Sequence, residues 1–149
     1  MTPRNKISFA CFLLIASGEF LIAGRFLSAS QIMDYHLTAM GSSWEQLSPG
    51  IQVMSLNFLR SAGLGFLLAG SAISAILLSP FRKGEAWARW TLLFICTIQA
   101  LVMIFIVSQV RAATPAVPPM GPFAMSLTLT VVGFFTFQAP AGKTAEDTP

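Results

Sequence analysis

Glu19 is the residue of this 149-residue chain whose position suggests chemistry most directly. It stands within an apolar segment, residues 7–27, about 18 Å of helix from the start of that segment. A carboxylate at that depth of a bilayer is costly unless it is paired, protonated or in contact with water. Two interpretations follow: a structural hydrogen bond or ion pair with Arg25, Arg60 or Gln99, or a site that couples the movement of protons or cations.

Three arginines, Arg25, Arg60 and Arg111, are expected at one level of the bilayer, although they come from three different apolar segments. Each lies about 27–32 Å of helix from the opposite edge of its own segment. Guanidinium groups at one level could grip a phosphate or carboxylate in bidentate fashion, so a phospholipid headgroup or a small acidic substrate is one interpretation. The other is that the arginines reach the headgroups and pair with nearby carboxylates.

A polar cluster of Asp34, His36, Trp44 and Glu45 belongs to the sizeable polar segment of the chain, which lies over this level. Imidazole and carboxylates could ligate a metal. One histidine with no cysteine nearby favours instead a hydrogen bond that stabilises the segment. We expect no metal, cofactor or catalytic residue, because the chain has no GxSxG, HExxH, Walker loop or dinucleotide fingerprint.

Apolar segments must position these side chains, because 54% of the residues are hydrophobic and 10% are charged. Soluble domains carry about 25% charged residues, so this composition is typical of membrane proteins. A secretory signal peptide is the competing interpretation of the first segment, although apolar character resumes directly after Gly18. The sequence predicts one all-α membrane domain, residues 1–149, a four-helix transmembrane bundle with spans at 7–27, 61–79, 90–110 and 123–138.

Residues 28–60 are predicted to form a short helical cap on the outer face of the bundle, and residues 139–149 a polar tail. Helix punctuation divides the cap. The pattern consists of Ser30 before a short helix that ends at Met40, Ser42 with Glu45 as a capping box, and Ser48 with Pro49 before a long helix.

Small residues mark the second span, and they predict that it is the central helix of the bundle. In lipid, small side chains let helix backbones approach closely. The two rows are Ser61, Gly65 and Ala69, and Gly63, Gly70 and Ser74.

Positive charge predicts the orientation. Four spans place both termini on one side, and the positive-inside rule then favours cytoplasmic termini in a multi-pass protein. Aromatic residues lie in apolar runs and not among basic residues, so we expect no nucleic-acid partner. The basic residues of the terminal side are Arg4, Lys6, Arg82, Lys83, Arg89 and Lys143.

The chain resembles small bacterial four-span membrane proteins of unknown function. The residues that carry this resemblance are Tyr35–His36, Gly41, Trp44–Glu45, Pro49–Gly50, Arg60, Gly63 and the turn PFRKGEAWARW from Pro80 to Trp90. The resemblance covers most of the chain and implies the bacterial cytoplasmic (inner) membrane. The chain is also similar, more weakly, to small multidrug-resistance transporters. These are four-span proteins with one membrane-embedded glutamate in the first span, and Glu19 would match that residue.

We therefore expect an integral membrane protein with a non-enzymatic structural, accessory or lipid-interacting role. The alternative is a small proton-coupled transporter that uses Glu19, and a membrane enzyme that uses His36 is third. The expected partners are membrane lipids and either another membrane protein or a second copy of the chain as a homodimer.

Overall fold

The computed structural model describes residues 2–138, and every regular element in that part of the chain is helical. A 3₁₀ turn at Trp44–Gln46 precedes the third α-helix, and a π-helical turn at Leu77–Phe81 prolongs it. The five α-helices are α1 (Pro3–Leu27), α2 (Asp34–Met40), α3 (Pro49–Ile76), α4 (Ala86–Ala113) and α5 (Gly121–Thr136).

Three of these helices are long and apolar enough to cross a membrane: α1, α3 together with its π turn, and α4. The predicted all-α class and the membrane-embedded character are thus confirmed in the described part of the chain. Helix α5 is apolar but has 16 residues, and it ends at Thr136, two residues before the predicted limit of the fourth segment. The predicted polar tail, 139–149, lies outside the described residues.

Helix α1 is the centre of the packing. It packs against both α3 and α5, and α5 packs in turn against α4, whereas α3 and α4 touch much less. The buried side chains of α1 recur every three or four residues, as one helix stripe requires. They are Ser8, Cys11, Phe12, Ile15, Ala16, Glu19 and Ala23. The prediction that the second span is the central helix is therefore wrong.

Only one of the two small-residue rows of α3 makes the contact with α1. A β-carbon added at Gly63 would come within 3.0 Å of Phe26, and one added at Gly70 within 3.1 Å of Glu19. An added β-carbon at Gly65 would meet nothing within 4 Å. One row packs against α1, and the other faces away from the bundle. Helix α3 therefore lies at the side of the bundle and not at its centre.

The hydrophobic core is concentrated in the half of the bundle that contains the start of α1 and the end of α5, here called the terminal half. Aromatic rings fill it: Phe81 lies 6.0 Å from Phe12 and 4.9 Å from Phe137, measured between ring centroids. Side chains of α1 close its edge by bonding to backbone carbonyls: the Ser8 hydroxyl donates to Gly133 of α5, and Asn5 Nδ2 donates to Gln138, beyond α5, at 2.9 Å.

The π turn at Leu77–Phe81 explains how α3 enters this core. Pro80 lies inside the turn and has no N–H to donate, so it cannot continue an ordinary α-helix. The wider turn accommodates it, as local π geometry does elsewhere. Gly84, with φ of 79°, then reverses the chain toward α4. As a result Phe81 is 2% exposed and is directed inward.

Residues 28–60 contain the short helix and the long-helix start that the sequence predicted, but two of the predicted helix-capping residues are wrong. Helix α2 starts at Asp34 without a side-chain cap, so Ser30 does not cap it, and Gly41 ends it in the left-handed conformation with φ of 63°. The capping box is formed by Ser43 and Gln46, one residue beyond the predicted pair. The start of α3 at Pro49 after Ser48 is as predicted.

Candidate functional site

Glu19 lies in the interior of the bundle, on the buried stripe of α1. Its side chain is 7% exposed, and its Oε2 accepts a hydrogen bond of 2.6 Å from Nε2 of Gln99 on α4. The predicted structural partner is thus Gln99, one of the three candidates that the sequence offered. Helices α1 and α4 otherwise make few contacts with each other. This hydrogen bond is therefore a specific polar link between them.

Helix α3 closes the site from the other side through Gly70. A β-carbon at this position would stand 3.1 Å from Cβ of Glu19, 3.3 Å from the Phe20 ring and 3.4 Å from the Ala16 carbonyl oxygen. Distances of this kind leave no room for a larger side chain. Gly70 therefore permits the close approach of α3 that encloses the Glu19 side chain.

Two further polar side chains complete the site, and we call Glu19, Gln99, Cys96 and Thr130 the polar centre. Cys96 is 2% exposed and lies near both Glu19 and Thr130. Thr130 is fully buried on α5 and donates to the carbonyl of Ser126 at 2.8 Å. The centre thus draws on α1, α4 and α5, with α3 against it, and it can hold one carboxyl group with an amide donor beside it.

The three predicted arginines lie at the end of the bundle opposite the terminal half, here called the cap half. Arg25 is in the last turn of α1, and Arg60 on α3 donates to the carbonyl of Ala29 at 3.5 Å. Arg111, in the last turn of α4, donates twice to the carbonyl of Pro118, at 3.2 Å from Nε and 2.8 Å from Nη2. Arg60 and Arg111 therefore each hold a connecting segment, and an anion shared by all three remains a prediction.

The cap polar cluster is divided among separate contacts. The half-buried ring of His36 stands 4.2 Å from the ring of Tyr35, and burial lowers the pKa of His36. Burial raises the pKa of Tyr35, which the nearby charge of Arg25 partly offsets. The carbonyl of Trp44 accepts from Gln52 of α3 at 2.7 Å, which fixes the cap to that helix.

Asp34 and Glu45, both at first-turn positions of their helices, do not join His36 in a metal-binding arrangement. Within residues 2–138, no group of three histidine, cysteine, aspartate or glutamate side chains could hold a metal ion. Asp34 opens α2 and Glu45 lies in the 3₁₀ turn, where acidic side chains suit the positive end of a helix.

Sequence reasoning missed the surroundings of Arg89 in the terminal half. The guanidinium carbon lies 4.8 Å from the ring centroid of Phe134, 5.4 Å from that of Trp90 and 5.5 Å from that of Phe137. Its Nε is buried and meets no hydrogen-bond acceptor within the described residues. The sequence contained one signal for this arrangement: Arg89 is next to Trp90, and Phe134 and Phe137 stand three residues apart at the end of the last apolar segment.

The polar centre and the Arg89 cage, which consists of Arg89 with the rings of Trp90, Phe134 and Phe137, both place polar groups among apolar helices. Both occupy positions at which isolated polar groups would be costly in lipid. Comparison with protein-family models, with curated proteins and with solved structures found no match for this chain.

Proposed function

We propose that this chain is a multi-pass, four-span protein of the bacterial cytoplasmic membrane with a non-enzymatic structural or accessory role. The observation that carries the proposal is the enclosure of Glu19, whose carboxylate accepts from Gln99 and whose Cβ packs against Gly70. A carboxylate used in this way fixes the helices relative to one another. Interhelical hydrogen bonds in membranes contribute about 0.6–2 kcal/mol, enough to select one packing among several.

The fourth span is supported by the contacts of α5 along α1. The two helices run antiparallel, because Gln138, two residues beyond the end of α5, bonds to Asn5 near the start of α1. Thr130, nearer the middle of α5, is buried as part of the polar centre. A helix of 16 residues extends about 24 Å, so α5 crosses most of a hydrocarbon core beside a helix that spans it.

Cytoplasmic termini are supported by the basic residues of the terminal half. Arg4, Lys6 and the turn Arg82–Lys83 lie at this end of the bundle, together with Arg89. The cap half carries Arg25, Arg60 and Arg111, which would meet the headgroups of the outer leaflet. We propose these three arginines as the contacts with membrane lipids at that face.

The open side of α3 is the surface on which a partner membrane protein or a second copy of the chain would pack. Ser61 and Gly65 are exposed there, and an added β-carbon at Gly65 would meet nothing. Leu64 and Leu68 are 50% and 62% exposed beside them. Small residues with flanking leucines suit close helix association in lipid.

A small proton-coupled transporter is the second candidate, and the composition of the polar centre favours it. A membrane-embedded carboxyl group with an amide, a thiol and a hydroxyl nearby could bind and release a proton if water reached it. Such a transporter would act as a dimer, since four spans alone rarely enclose a path. The two candidates differ in whether Glu19 is accessible in the folded protein.

Carbodiimide labelling of the purified protein in lipid distinguishes them, with Glu19→Gln to identify the modified site. The structural role predicts no modification of Glu19 in the folded protein between about pH 5 and 8, and modification after denaturation. It also predicts that Glu19→Gln keeps the fold, because an amide can still accept from Gln99. Modification of Glu19 in the folded protein would contradict the structural role and support coupled transport.

A further inference from the structure

Arg89 is held among aromatic rings, and no carboxylate within residues 2–138 forms an ion pair with it. Its guanidinium is stacked among Trp90, Phe134 and Phe137, and its buried Nε meets no acceptor within residues 2–138. Aromatic faces stabilise such a cation and fix its plane, but they do not neutralise it. The carboxylate of Glu85, four residues earlier, accepts from the indole of Trp87. A partly desolvated, oriented guanidinium of this kind is suited to an anion that presents several oxygen atoms.

A shallow apolar groove begins beside this cation and follows α4 toward the middle of the bundle. Its volume is about 690 Å³, and it is widely open to the surroundings of the bundle. It covers about 12 Å of helix, and its apolar side chains are strongly exposed, with Phe94 at 66%. The lining residues are Trp90, Thr91, Leu93, Phe94, Thr97 and Ile98.

Trp90 connects the two features, because it lies under the guanidinium of Arg89 and also lines the groove. A ligand that occupied both would need an apolar chain next to an anionic group. Tryptophan favours the interfacial level of a bilayer, where phosphate groups and acyl chains meet. The exposed basic turn Arg82–Lys83 precedes α4 at the same end of the bundle and adds positive charge there.

We propose that this face of α4 binds one anionic phospholipid of the leaflet at the terminal half. The Arg89 guanidinium binds the phosphate oxygens, and one acyl chain lies in the groove from Trp90 to Ile98. The site is separate from the arginines of the cap half and does not depend on the role of Glu19. It would place a defined lipid along the exposed apolar side chains of α4, with its phosphate beside the aromatic rings that α5 and the residues after it contribute.

Native mass spectrometry with added phosphatidylglycerol or phosphatidylcholine tests the proposal. We expect the wild-type protein to retain phosphatidylglycerol preferentially, and Arg89→Gln to reduce that preference about tenfold, as loss of one charge-assisted contact would. Arg82→Gln removes the same charge from the exposed turn and should change the preference by less than about twofold. Phe94→Ala should weaken retention of both lipids, because it shortens the groove and leaves the cation intact.

Three results would overturn the proposal. Arg89→Gln could keep the wild-type preference, Arg82→Gln could reduce it equally, or inorganic phosphate could displace phosphatidylglycerol, which would show that the acyl chain contributes nothing. If Arg89→Gln does not fold, quenching of Trp90 by brominated phosphatidylglycerol replaces it, with Trp44 and Trp87 changed to Phe. The bound lipid should then quench Trp90 at concentrations at which brominated phosphatidylcholine does not, and equal quenching by both lipids would contradict the site.

Discussion

The terminal half and the cap half of this bundle are held together by different kinds of contact. In the terminal half, buried rings and aliphatic side chains form one connected core around Phe12, Leu77 and Phe81. In the cap half, buried side chains such as Ala23, Leu59 and Val107 lie outside that core. There, packing such as that of Gly63 against Phe26 is supplemented by Arg60 and Arg111, which donate to backbone carbonyls of the connecting segments.

This difference indicates which half supplies stability and which can adapt. Dispersion contacts in a dense core are lost together when the core opens, so the terminal half should unfold as a unit. Hydrogen bonds from exposed arginines exchange readily with lipid or water, so the cap half should open locally first. Glu19 and Gln99 lie where the two halves meet. The predictions below test this division.

Phe12→Ala should have the largest effect, a loss of about 3 kcal/mol in the free energy of unfolding. Phe12 is fully buried in the terminal half, and its removal leaves a cavity beside Phe81. Phe58→Ala in the cap half is the matched control, because that side chain is 65% exposed. Reversible unfolding in sodium dodecyl sulphate measures both variants, and equal losses would contradict the role of Phe12 in the core of the terminal half.

Gln99→Leu should cost about 2 kcal/mol, because it leaves the enclosed carboxylate of Glu19 without its amide donor. Gln109→Leu makes the same substitution at an exposed position of the same helix and should change stability little. The same unfolding measurement applies. Equal stability of the two variants would show that the link between α1 and α4 is energetically unimportant.

Gly133→Ala should destabilise the protein by about 1–2 kcal/mol. An added β-carbon would stand 2.9 Å from the ring of Phe12 and 3.2 Å from Cβ of Cys11, so the packed core must shift. Gly18→Ala on α1 meets nothing within 4 Å and should gain up to about 1 kcal/mol from helix propensity. Thermal unfolding in detergent should therefore move in opposite directions for the two variants.

Acidification should lower the free energy of local unfolding of the cap by less than about 1 kcal/mol, which is the smallest of the expected effects. Burial lowers the pKa of His36, the single histidine of the chain, from its usual value of 6.5. The unfolded cap then binds more protons than the folded cap, so the stabilisation is complete above about pH 6.5 and is lost as the pH falls through the folded pKa. The protection factors of α2 amides, which correct for the intrinsic pH dependence of hydrogen exchange, should fall over this range, and His36→Gln should abolish the fall.

The sequence predicted the helical segments well, because long apolar runs bounded by charge leave few alternatives. It offered Gln99 as one of three partners for Glu19 but could not select it, since chain position gives the height of a residue along a helix and not the direction in which it points. The central helix was misassigned for the same reason: α3 has two small-residue rows, and only contact with α1 shows which is used. The Arg89 cage depends on Phe134 and Phe137, which are distant in sequence and come close only through packing of α5 on α4.

Because of the π turn that prolongs α3, the number of residues near Pro80 determines which side chains face the core. One extra residue in a helical turn rotates everything beyond it by about 100° relative to an uninterrupted α-helix. Loss of one residue between Leu77 and Phe81 would therefore restore an ordinary turn and swing the Phe81 ring out of the core toward lipid. Homologues of this chain should tolerate substitutions in this turn more readily than insertions or deletions, and a length change there should coincide with a rebuilt aromatic core.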